Sequence, residues 1–258
     1  MPEQTLTDIL TSPYIIALLL FVVALAYSSV GLGGGSSYTA LLAIAGYSSV
    51  TIPMVSLTLN LIVTSVGSYN FIRHRHANYR IVAPFLLSSM PMAYLGGALQ
   101  LPQEFFFRLL LAALLLVAAR IYLWKDSTLH LGLGKTGKII VSLVAGSALG
   151  MLAGITGIGG GIFLVPLIII LGLGTVKEAA ACGAIFIWLN SLAGLVSRLQ
   201  YNAIDLVEHV PLIVAVILGS TLGSLLGSSR LSRNAMEKIL GVIVLVAIAF
   251  LVGKLQII

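Results

Sequence analysis

One Gly-rich pattern occurs twice in this chain, and it limits the fold more than any other feature. It reads Gly31-Leu32-Gly33-Gly34-Gly35 and returns as Gly157-Ile158-Gly159-Gly160-Gly161, an offset of 126 residues (157 − 31). Each copy follows an apolar run, Tyr14 to Val30 and Ile139 to Ile155. Each precedes a shorter one, Ser36 to Ala45 and Ile162 to Leu171. A helix carries such a cluster poorly, because each Gly costs about 1 kcal/mol relative to Ala. The runs should therefore break at the glycines.

The surroundings make the break informative. Of 258 residues, 59% are hydrophobic and only 9% charged. Soluble domains carry about 25% charge, so the chain reads as an all-α integral membrane protein with a multi-pass topology. In lipid, irregular backbone survives only where it is buried in protein or lines a cavity. Paired Gly-interrupted segments at corresponding positions of two halves are a sequence pointer to a transporter binding site. The single Cys182 excludes an internal disulfide. The N-terminal stretch, with Glu3 and Asp8 and no basic region, does not resemble a signal peptide.

Three runs after the first break are about the 20 residues needed to cross a bilayer: Met54 to Ile72, Ile81 to Leu99 and Phe105 to Leu123. A polar linker at 125–138 separates a first membrane repeat (1–124) from a second (139–258). The second follows the same plan, with Glu178 to Ser197, Leu206 to Gly227 and Ala235 to Gly253. Gly46 and Gly172, Ser65 and Ser191, and Gly97 and Gly223 share the 126-residue offset.

Charge bears on whether each broken element crosses or re-enters. If each is a hairpin that returns to its own side, 11 of the 14 basic residues share one face; only Arg108, Arg198 and Lys254 face the other. A single crossing by each element lowers the split to 9 and 5. The positive-inside rule prefers the hairpins, with both termini outside. Length agrees, since Tyr14 to Ala45 as one helix would be about 48 Å long at 1.5 Å per residue. The expected fold is two inverted repeats, each a Gly-broken re-entrant helical hairpin plus three transmembrane helices.

The run Ser28-Ser29-Val30-Gly31-Leu32-Gly33-Gly34-Gly35 and its echo Ala153-Gly154-Ile155-Thr156-Gly157-Ile158-Gly159-Gly160-Gly161-Ile162-Phe163-Leu164-Val165-Pro166-Leu167 resemble the sulfite exporter TauE/SafE family. The resemblance spans essentially the whole chain. The second copy matches better, because Pro166 follows its glycines, whereas the first has Thr39-Ala40-Leu41 there. The resemblance implies a transporter in the cell inner membrane that exports a small sulfur-containing oxyanion, sulfite or an organosulfonate such as sulfoacetate. An anion channel, or an importer of thiosulfate or sulfate with the same fold, is the alternative.

The residues themselves suggest how an anion could be held. If the short runs are half-helices, their N-termini begin at Gly33, Gly34 and Gly35 and at Gly159, Gly160 and Gly161. A helix N-terminus carries about half a positive charge and several free N–H groups, and so binds anions without a buried cation. Ser28, Ser29, Ser36, Ser37 and Thr156 are candidate hydroxyl donors, although a hydroxyl inside a helix also serves its own backbone. Asn60 and Asn190 lie inside spans and suit either substrate contact or an interhelical bond.

Other readings fit less well. No His or carboxylate falls centrally in a span, so neither a nucleophile–base pair nor a metal cluster is expected, and no cofactor is implied. His74, His76, His130 and His209 share no ligand spacing. The glycines lack the strand and βαβ unit of a phosphate loop, and the net charge of +6 reads as membrane topology rather than nucleic-acid binding. The expected partners are the bilayer and a small anion; the sequence does not fix the oligomeric state.

Overall fold

A computed structural model describes residues 12–28, 33–73, 75–123, 132–205 and 207–226, with 242, 244–246, 248–253 and 255. Its elements, in chain order, are α1 (Pro13–Ser28), α2 (Gly35–Ile44), α3 (Thr51–Arg73), α4 (Tyr79–Ala98), α5 (Gln103–Leu123), α6 (Lys135–Thr156), α7 (Gly161–Ile170), α8 (Val176–Leu199) and α9 (Val210–Leu226). A last apolar helical stretch, Val244–Gly253, follows. Among the described residues there is no strand. The protein is all-helical, as its composition requires.

Five helices, α3, α4, α5, α6 and α8, are long and apolar enough to cross a membrane. Their outward faces carry large apolar side chains, such as Leu87 at 74% exposure and Val144 at 65%. Water would penalise such a surface, and acyl chains would not. α2 and α7 are only 10 residues each, about 15 Å. α2 is buried from Gly35 to Ala43, so this half-helix is covered by protein.

Glycines let the helices approach. A Cβ on Gly146, Gly150 or Gly154 of α6 would strike the backbone carbonyl of Phe85, Ser89 or Ala93 of α4. These are one ridge of small residues at i, i+4 and i+8 against three carbonyls of equal spacing, the packing that replaces the hydrophobic effect between helices in lipid. α9 sits on α1 likewise, with Gly219 over the Phe21 carbonyl and Gly223 over that of Leu25. The broadest contacts are thus crossed: α4 with α6, and α1 with α9. α3 and α8 pack together between them, and Trp188 Nε1 donates to Ser65 Oγ at 2.9 Å.

The two half-helices end identically. Gly46 donates to the Ala43 carbonyl and Tyr47 to that of Leu42; Gly172 donates to Ile169 and Leu173 to Ile168. Both glycines are left-handed, with φ 81° and 58°. This is a Schellman motif, repeated at the 126-residue offset.

At the start of α8, Thr175 and Glu178 form a capping box. Glu178 also accepts from Asn78 Nδ2 at 2.9 Å, so its carboxylate is used to join the α3–α4 turn to α8.

Candidate functional site

The second break is wholly described. α6 stops at Thr156 because Gly157 turns left-handed (φ 80°), and Gly159 and Gly160 follow at φ 83° and 73°. Three left-handed residues in four positions suit glycine alone, since another residue would cost about 1–2 kcal/mol at each. The chain thereby reverses and starts α7 at Gly161. The first break differs: Gly34, the N-cap of α2, has φ −90°. Its glycine requirement is steric, because a Cβ on Gly34 would enter the ring of Tyr38. Ser29 lies outside the described residues, as do Gly31 and Leu32.

Both breaks meet at the same two side chains. A Cβ on Gly35 would lie 2.7 Å from Asn60 Nδ2, and one on Gly159 3.0 Å from the same atom. Ile187 of α8 packs against Gly33, Gly159 and Gly161. Gly35 also abuts the Ile158 carbonyl directly, so the first break leans on the backbone of the second. The start of α2 and the start of α7 therefore converge between α3 and α8. The N–H groups of Gly35, Ser36, Gly161 and Ile162 donate to no described residue.

α3 ties this junction together. Ser56 Oγ lies 2.9 Å from the Gly157 carbonyl oxygen and 3.4 Å from that of Gly35. Asn60 Nδ2 donates to the Gly157 carbonyl at 3.1 Å. Thr64 Oγ1 donates to the Asn60 carbonyl at 2.6 Å, while its methyl group touches Gly33. Ser56, Asn60 and Thr64 form a polar stripe at i, i+4 and i+8. The corresponding positions of α8, at the 126-residue offset, are Cys182, Phe186 and Asn190. Phe186 packs on Gly160 where Asn60 packs on Gly35, so the junction is polar on the α3 side and mostly apolar on the α8 side.

The predicted hydroxyl donors that are described, Ser28, Ser36, Ser37 and Thr156, are already engaged. Tyr27 OH lies 3.2 Å from Ser36 Oγ and 3.3 Å from Ser37 Oγ, all three buried. Ser28 Oγ donates to the Leu25 carbonyl at 3.4 Å and packs against Gly223. Thr156 Oγ1 donates to the Leu152 carbonyl at 2.7 Å and accepts from Ile158 N at 3.3 Å, which fixes the first turn of the break. Asn190 Nδ2 donates to the Phe186 carbonyl on its own helix at 2.8 Å. Gly33, Gly34, Gly35, Asn60, Gly159, Gly160 and Gly161 are thus brought together. Ser28, Thr156 and Asn190 serve their own helices.

Some polar groups remain unspent. The Oδ1 atoms of Asn60 and Asn190 and the hydroxyl of Tyr38 are buried with no partner among the described residues. Such groups are few in folded proteins, and each calls for an explanation. Tyr38 stands out because its ring lies beside Gly34 at the head of α2. Sequence reasoning missed Tyr27, Tyr38 and Ser56. For Ser56 the i, i+4 spacing to Asn60 was a usable signal. Tyr27 and Tyr38 lie in apolar runs and carry no comparable local signal.

Arg198 was also underestimated. It closes α8, yet it is only 5% exposed. Its Nε and Nη2 donate to the Gly154 carbonyl at 3.1 and 3.0 Å, and Nη2 donates to Ile155 at 2.7 Å. These carbonyls belong to the last turn of α6, the negative end of its dipole. The guanidinium thus braces the helix just before the second break. Among the described residues no group of three His, Cys, Asp or Glu could hold a metal ion.

No solved structure matches the chain. It is 34% identical over 238 residues to a probable membrane transporter protein of Sinorhizobium fredii, covering 90% of this chain and 95% of the relative. The family model for the sulfite exporter TauE/SafE matches residues 16–251. This chain is a multi-pass membrane transporter and belongs to the sulfite exporter TauE/SafE family.

Proposed function

We propose that the protein exports a small sulfur-containing oxyanion, sulfite or an organosulfonate such as sulfoacetate, across the cytoplasmic membrane. The anion is held where the two half-helices begin. One observation supports this most: the starts of α2 and α7 converge on Asn60 and Ile187, with backbone N–H groups that donate to no described residue. Two positive dipole ends at one point suit a negative charge. The Tyr38 hydroxyl and the second N–H of Asn60 Nδ2 are further neutral donors. Hydrogen bonds to a charged group contribute about 1.5–3 kcal/mol each, so several offset much of an oxyanion's desolvation.

The same reading includes topology. The charge split supports two inverted repeats with both termini outside the cytoplasm. Export then needs no proton relay. About 100 mV, inside negative, favours exit of one negative charge by about 2.3 kcal/mol.

The test is efflux of sulfite or sulfoacetate from proteoliposomes containing purified protein. Saturable release, blocked by excess of the other anion and driven by an inside-negative potential, is the expected result. Release that never saturates would favour an anion channel. Failure of either anion to move, with sulfate or thiosulfate entering instead, would overturn the export reading.

A further inference from the structure

We propose that the polar cavity beside Arg198 is a second anion-binding site, a vestibule that takes the same class of small oxyanion next to the second glycine break. The inference rests on the transport reading above and extends it to a position that reading does not use.

The cavity is about 80 Å³, and Ser49, Gln100, Phe106, Ile155, Arg198 and Asn202 are among its lining residues. By this measure a water needs roughly 10–15 Å³, so there is room for several waters or one small oxyanion. The walls come from three loops, after α2, α4 and α8, that gather at one end of the helices. Ser49, Gln100 and Asn202 provide neutral donors, and Arg198 provides the charge. No carboxylate lines the cavity.

Arg198 has an unusual electrostatic position. A buried cation needs a counter-charge or a full set of acceptors. Arg198 has no acidic partner among the described residues. Carbonyls of Gly154 and Ile155 engage Nε and Nη2; Nη1 donates to no described residue. Bracing α6 accounts for the first two nitrogens. It accounts neither for the third nor for a polar cavity at the same side chain. An oxyanion answers both, because guanidinium offers paired N–H groups to such ligands.

Location gives the cavity a role. Ile155 lines it and also accepts from Arg198, and Gly157, two residues on, holds Ser56 and Asn60 of the glycine junction. An anion leaving the junction would next meet Arg198. The two α6 carbonyls already share the guanidinium, so they weaken its hold and allow release.

The experiment is an equilibrium binding titration of purified full-length protein with radiolabelled sulfite, with chloride as control and thermal unfolding of the ligand-free protein alongside. Wild type should bind sulfite in two saturating steps. Gly160→Leu should keep only one. Adding Val50→Trp, a bulky group at the exposed rim of the cavity, should remove that step too. Arg198→Lys should raise the half-saturating sulfite of the same step about tenfold; a purely structural Arg198 would lower the ligand-free Tm and leave the sulfite response unchanged. If Gly160→Leu abolishes every response while wild-type protein still transports sulfite, the vestibule is wrong and the transport reading stands. If wild type moves no sulfite, yet the Val50-sensitive step persists, the transport reading fails and the vestibule stands. A step in Gly160→Leu that survives Val50→Trp also overturns the vestibule.

Discussion

Ser56 reaches the carbonyl of Gly157, 101 residues further along the chain, at 2.9 Å. It is also 3.4 Å from the carbonyl of Gly35, so one hydroxyl of α3 bridges both glycine breaks. A break in lipid leaves carbonyls without helical partners, and each must be satisfied by protein. α3 does this for the second break with Ser56 and Asn60 together.

Removing these donors should therefore be non-additive. Ser56→Ala alone should cost about 1 kcal/mol, because Asn60 still serves the Gly157 carbonyl. Ser56→Ala with Asn60→Leu removes both donors and should cost more than the two single changes added. Thermal unfolding of the three variants in one detergent measures the coupling; strict additivity would show that the pair does not act as a unit.

Glycine at 35 and glycine at 46 should respond differently to the same methyl group. A Cβ at Gly46 meets open space, so Gly46→Ala carries only the left-handed strain of about 1–2 kcal/mol. Gly35→Ala drives a methyl into the Ile158 carbonyl and Asn60, and should push the breaks apart. Gly46→Ala is expected to lower Tm and keep transport, while Gly35→Ala loses transport. Gly34→Leu and Gly160→Leu should also abolish transport with membrane insertion mostly intact, judged by yield in the membrane fraction. Normal efflux by either Leu variant would reduce its loop to a structural break.

Topology can be read with single cysteines on a Cys182→Ala background. Labels at Arg75 and Lys135 should react from the cytoplasmic side, and one at Tyr201 from the opposite side. The expectation comes from the 11-to-3 division of basic residues. Reactivity of positions 135 and 201 from the same side would defeat the inverted arrangement.

Neutral donors at positive dipole ends should discriminate by net charge. Taurine brings an ammonium group to those ends, and sulfoacetate brings a second anion. Sulfoacetate is therefore expected to compete at least tenfold better for sulfite efflux, which corresponds to about 1.4 kcal/mol. Equal competition would rule out a site built from dipole ends alone.

Much of this architecture is legible in the residues, for local reasons. Four glycines in five positions are costly for a helix, so the short runs expected from Ser36 and Ile162 begin within one residue of α2 and α7. Helix starts are less legible. α6 begins at Lys135, four residues before the apolar run, because Gly134 and the polar first turn can still be helical. The candidate site was only half visible. Its glycines announce themselves, but what surrounds them depends on long-range contact. Nothing near Tyr27 in sequence points to Ser36 and Ser37. Arg198 looks like an interfacial residue until Gly154 and Ile155 are found beneath it.

The crossed pairing of α1 with α9 and of α4 with α6 has a consequence for biogenesis. Ribosomes deliver α1 to the membrane long before α9 exists, and the Phe21 and Leu25 backbone that Gly219 and Gly223 will cover must wait. The first 123 residues can insert yet cannot complete their own packing. Assembly is therefore post-insertional, and a premature stop anywhere before α9 should leave a membrane-integrated fragment for quality-control proteases. The same interlock means that two separately synthesised pieces, cut in the 125–138 linker ahead of α6, should find each other in the bilayer.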